Sequence, residues 1–201
     1  MSMDLTGAIR AIAKIWRSAR LAARDFAADS RALAATEFAV IVPLMLVMFF
    51  GTVEFSSAVA IDRKVTLMAR TLSDLTSQST SVADTDMTNF FAASYGIMTP
   101  YYNSTITSAT ISELYVDPTT KVARVQWSKG SSPRSQASVV TIPTTLAIGG
   151  TYLIYSEVSY IYTPTIGYVL KNSITLSDVA YTRPRQSTCV YYSPSTTCTT
   201  Y

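Results

Sequence analysis

Apolar residues recur at Leu5, Ile9, Ile12, Trp16, Ala19, Ala23 and Phe26, alternately four and three positions apart, the spacing that lays one stripe along a helix. Arg10, Lys14, Arg17 and Arg24 flank that stripe, which predicts a basic amphipathic helix suited to an anionic membrane surface; a solvated leader is the plainer alternative. From 38 to 53 the period gives way to 16 residues without a charge. As a helix they cover about 24 Å, short of the ~30 Å hydrocarbon core, and residues 34–36 and 55–61 supply the missing length. Pro43 removes one backbone hydrogen bond and is expected to kink this helix near its start. Glu37 and Glu54 stand inside the widened segment, where a carboxylate is costly unless paired.

The helical period resumes at Ile61, Val65, Met68, Leu72 and Leu75, with Asp62, Arg63, Lys64, Arg70 and Asp74 off the seam, so one long helix from about 34 to 77 is expected to turn amphipathic as it continues. A second helix fits 86–95, with Asp84 or Thr85 as its cap. Beyond residue 103 the pattern changes to that of strands. Segments 105–116 and 121–128 are rich in β-branched and aromatic residues and flank Asp117-Pro118-Thr119-Thr120, a hairpin turn. Ala123, Val125 and Trp127 alternate with Arg124 and Gln126 and are expected to share one face. Residues 142–150 fit either a short helix or a bend. Segment 151–162 places Tyr152, Ile154, Val158, Tyr160 and Tyr162 on one face, 173–181 adds a fourth strand, and the Ser/Thr/Tyr-rich tail after Pro184 reads as irregular. The expectation is a four-stranded antiparallel sheet packed on the helical extension.

Composition narrows what such a chain does. Of 201 residues 48% are hydrophobic and only 14% charged, and none is histidine. That absence excludes His-based triads, His zinc sites and His-dependent phosphoryl chemistry, so neither an enzyme nor a cofactor or metal site is expected. The net charge of +3 comes wholly from residues 1–32, which hold six basic and three acidic groups. Basic residues on that side orient the N-terminus to the cytoplasm and everything after about 62 to the other side. Without a basic patch downstream there is no sign of nucleic-acid binding, and no small-molecule substrate is evident. The resulting divisions are a basic leader over 1–32, a transmembrane helix over 33–61, an amphipathic extension and linker over 62–84, and a β-rich domain over 85–201. Cys189 and Cys198 are the two cysteines. Outside the cytoplasm they are expected to form a disulfide; two free thiols, or a redox pair at a spacing other than Cys-x-x-Cys, are the alternatives.

Ala32-Leu33-Ala34-Ala35-Thr36-Glu37-Phe38, followed at once by the apolar run, resembles the processing site of type IV prepilins, with Ala32 before the cut where that pattern places glycine. Leu33 would be the first mature residue and Glu37 the fifth. A glutamate at that depth needs a cation, which a neighbouring subunit's new α-amino group would supply. The Glu37-Phe38 pair, Pro43 five residues on, Glu54-Phe55 after the span and Leu67-Met68-Ala69-Arg70 look like the TadE-like family of tight-adherence pilus assembly proteins. Residues 158–164 and 180–185 are similar to the C-terminal part of its members. The resemblance implies a pilin-like α+β fold and a pseudopilin or pilus-assembly role at a bacterial inner membrane, with one span and a non-enzymatic periplasmic domain. It also implies pilin or pseudopilin subunits, the assembly machinery and prepilin peptidase as partners. A competing reading takes 38–53 as a secretory signal core cut after Ala58-Val59-Ala60, releasing a β-rich binding module that starts at Ile61.

Overall fold

A computed structural model describes residues 16–18, 20–21, 30–164 and 172–201. The predicted leader helix falls outside these residues except at 16–18 and 20–21, which are helical. The chain divides into two units, Met1–Thr52 and Val53–Tyr201. Helix α1, Ser30–Ser77, runs from the first into the second and continues through Pro43. In the first unit Phe38, Val40, Ile41 and every large apolar side chain from Leu44 to Phe49 are 48–75% exposed. A helix apolar on all sides and left uncovered fits one that a bilayer would cover. It is long and apolar enough to cross a membrane.

In the second unit α1 is followed by β1 (Ser81–Val82), α2 (Asp84–Ile97), β2 (Thr107–Val116), β3 (Ala123–Gly130), β4 (Val139–Val140), β5 (Tyr152–Tyr162), β6 (Ile174–Thr182) and β7 (Tyr191–Tyr192). The sheet is antiparallel, in the order β4-β3-β2-β5-β6. It holds five strands rather than the expected four, because the two-residue β4 pairs with the start of β3. The expected α+β architecture is present: an apolar helix followed by an antiparallel sheet domain.

One sheet face receives α1. Ile61, Val65, Met68 and Leu72 are buried against Ala109, Ile111, Ile154 and Val158. The predicted seam holds as far as Leu72. There burial passes to Ser73, Thr76 and Ser77, while Leu75 is only half-buried, because hydroxyls meet the strands at this end. Ser156 Oγ donates to the Ala69 carbonyl at 2.6 Å and Ser73 Oγ to Thr182 Oγ1 at 2.8 Å. Ala69, with no side chain beyond Cβ, permits that approach. The opposite face has its own core of Leu114, Val116, Val125, Leu153 and Tyr155, against which Ile142 and Leu146 pack. Residues 142–150 are thus neither helix nor free loop. They form turns closed by Leu146 N–H to Pro143 O at 2.9 Å and Ala147 N–H to Thr144 O at 3.2 Å, and the segment covers the second core.

The hairpin between β2 and β3 is as predicted, with the Asp117 carboxylate accepting the N–H groups of Thr119 at 2.8 Å and Thr120 at 2.7 Å. Helix α2 departs from expectation at its start. Ala83 is the N-cap, and Asp86 reaches back to accept its N–H at 2.9 Å, so the two aspartates lie in the first turn, where they favour the helix dipole. At its other end Lys64 Nζ donates to the Ile97 carbonyl at 2.8 Å, one that the helix leaves open, and to that of Thr99, just past the helix, at 3.0 Å.

A further departure is the placement of Trp127. Glu113 pairs with Trp127 and Leu114 with Val125, leaving Gln126 as the extra residue of a bulge. One extra residue inverts the alternation beyond it. Ala123 and Val125 therefore face the second core, while Trp127 turns to the α1 face beside Glu113.

Candidate functional site

Two groups of residues stand out, and they lie in different parts of the chain. The first follows α1. Glu37, Phe38 and Pro43 are exposed along its apolar stretch, and Glu54 follows seventeen positions after Glu37 on the same helix. Ala32 and Leu33 lie in helical backbone. Glu54 is 4% exposed and borders a cavity of about 280 Å³ shared with Ser57, Tyr101, Tyr160 and Tyr162. The Tyr162 hydroxyl donates to its backbone carbonyl at 3.2 Å. The glutamate near the end of the apolar run is thus enclosed by the sheet domain's tyrosines.

The second group holds the C-terminal segment. Cys189 and Cys198 form a disulfide, and Cys189 and Val190 are buried. The tail after Pro184 is irregular as its composition predicts, apart from the two-residue β7, but it is tied to the rest of the domain. Arg185 N–H donates to the Ser77 carbonyl at 2.9 Å and its guanidinium pairs with Asp74. Parallel pairing joins β1 to β7. The Tyr192 ring lies 5.4 Å from that of Trp127, with Lys129 Nζ 4.6 Å from its centre. The Tyr192 hydroxyl donates to Asp84, which Lys129 also meets at 3.1 Å. Together they hold that exposed carboxyl below its ordinary range.

At the middle of this contact Glu113, 2% exposed on β2, accepts the Val190 N–H at 2.6 Å, and the Trp127 indole N–H donates to the Val190 carbonyl at 2.8 Å. Burial pushes the Glu113 carboxyl up to about 8, against the downward pull of the bonds from Val190 and Trp127. Sequence reasoning did not single out Glu113. The signal is its sharing the alternation phase of Ala109 and Ile111, but Trp127 comes into that phase only through the bulge.

Replacing both cysteines with serine is expected to destabilise this tail by about 2–3 kcal/mol through lost loop closure. Urea titration of the full chain in detergent, with and without a reductant, checks it. Equal midpoints would show that the tail holds without the bond.

An uncovered apolar helix leading into an α+β domain with a disulfide fits a membrane-anchored class of protein. The family model described as TadE-like protein matches residues 33–72, so the chain carries a TadE-like segment and the resemblance from Glu37-Phe38 to Leu67-Met68-Ala69-Arg70 is borne out, while residues 158–164 and 180–185 lie outside the match. That family consists of pilus-associated structural proteins. Comparisons with curated proteins and with solved structures gave no match.

Proposed function

We propose that the protein is a single-span pseudopilin or pilus assembly protein of a tight-adherence system, with its N-terminus in the cytoplasm and residues beyond α1's apolar stretch in the periplasm. The observation that carries this reading is the matched segment: it begins at Leu33 and includes Glu37, Phe38, Pro43 and Glu54. A cut after Ala32 by prepilin peptidase would make Leu33 the first residue. The apolar helix then packs among pilin or pseudopilin helices, Glu37 sets the register by meeting a neighbour's α-amino group, and the sheet domain makes the specific contacts with the assembly machinery.

Intact mass and N-terminal sequencing of the protein from membranes and from sheared filaments test this reading. A Leu33 start in filaments supports a processed pseudopilin, and an intact Met1 start confined to membranes supports a permanently anchored assembly factor. A start at Ile61 overturns both in favour of a secreted module cut after Ala60. Glu37→Ala is expected to lower filament yield and partner recovery about tenfold or more, the effect of leaving a buried cation unpaired. Unchanged filaments would remove the register role.

A further inference from the structure

We infer that Glu113 is a proton-controlled clasp for the C-terminal segment: with its carboxyl neutral, residues 185–201 dock on the sheet, and loss of the proton releases them. The bulge at Gln126 builds the clasp by bringing Trp127 round beside Glu113. The two side chains then grip one residue from both ends, Glu113 at the N–H and Trp127 at the carbonyl of Val190, which is wholly buried. A cavity of about 180 Å³ adjoins the grip, bordered by Gln126, Gln136, Thr197 and Thr199, and among the described residues Glu113 is the one carboxyl or basic side chain in its lining.

The surroundings offer the ionised form little. Tyr115 stands on its own strand and Tyr152 faces it from β5, where the Glu113 charge helps to raise the Tyr152 hydroxyl to about 12, after burial as the larger cause. From the tail come Tyr191 and Tyr192. Lys129 on β3 is engaged with Asp84 and the Tyr192 ring, and the Asp74–Arg185 pair joins α1 to the start of the tail. The neighbours that lower the carboxyl are the neutral donors of Val190 and Trp127. Opening of the tail hydrates the carboxylate and removes the burial that opposes its charge.

The sign follows from linkage. A carboxyl raised from 4.5 to about 8 in the docked state holds a proton that the open state has lost. Docking is therefore complete at acidic pH, weakens as pH rises from about 5, and levels off above 8. Hydrogen exchange of the full chain in detergent micelles between pH 5.5 and 7.5, corrected for intrinsic exchange, reads this directly. The opening of the Val190, Tyr191 and Ser193 amides is expected to rise roughly tenfold per pH unit, and Glu113→Gln, with the same shape and no charge, to flatten that slope. A wild-type slope below threefold per unit, or a Gln variant that keeps the wild-type slope, overturns the proposal. Should the variant fail to fold, the side-chain carboxyl carbon of Glu113 in the wild-type chain decides: a titration midpoint above about 6.5 supports the clasp and a lower one overturns it.

Discussion

Leu72→Ala is expected to destabilise the sheet domain by about 2–5 kcal/mol. Leu72 is fully buried on the α1 stripe, in the core it shares with Ile111 and Ile154, so truncation loses its transfer free energy and leaves a cavity. The helix cannot settle freely into that space, because hydroxyl bonds from Ser156 at 2.6 Å and Ser73 at 2.8 Å fix its distance from the strands. Urea titration of the full chain in detergent, followed by Trp127 fluorescence in a Trp16→Phe background, measures the change. Leu67→Ala, at a position 52% exposed, is the control and should shift stability by less than about 0.5 kcal/mol. Equal effects at the two positions would mean that the stripe is not what joins helix to sheet.

Gly130→Ala should cost about 3 kcal/mol, from backbone strain and a clash together. Gly130 has φ +136°, and an added Cβ would stand 2.2 Å from the Ala109 carbonyl oxygen and 2.7 Å from Thr110 Cα. Both obstacles are backbone atoms of β2, in the middle of the sheet, and neither can rotate aside. The glycine is where β3 ends and the chain turns back so that Ser131 N–H reaches Ala109 O at 2.9 Å. Gly150 offers the comparison: its φ is +77° but the space beside it is open, so Gly150→Ala carries the strain alone, about 1 kcal/mol. Thermal melts of the two variants should differ clearly, and superimposable melts would refute the close approach at Gly130.

The long helix could be read from the sequence because its two regimes leave unmistakable patterns: no charge over 38–53, then a four-three spacing from Ile61 to Leu72. The main strands were legible for the same reason, alternation being a local property. What escaped were features decided by a single residue or by a distant partner. One extra residue at Gln126 reverses which side Trp127 faces, and nothing in the composition of Arg124-Val125-Gln126-Trp127 announces it. Residues 142–150 have no period because they follow the contours of a second core already formed by β2, β3 and β5. The tail has no period of its own because what holds it are contacts with residues about 50 to 110 positions earlier. The motif around Glu37 was legible because it is contiguous, whereas the Glu113 grip is assembled from three segments that only the fold brings together.

The pairing of β1 with β7 also bears on how the chain reaches its folded state. Val82 lies beside Tyr192, and Val190 fills a seat made by residues 113 and 127. Under the proposed topology the N-terminus stays in the cytoplasm and the residues that follow the apolar stretch cross first, so the groove holding Val190 stays empty until almost the last residues have crossed. Contacts of such long sequence separation close late and slowly. For that interval Val82 and Trp127 lie without their partners Tyr192 and Val190, an apolar surface open to misassociation. Under that topology translocation and completion of the core are tied together, and a chain that stops short of Val190 leaves its sheet unsealed.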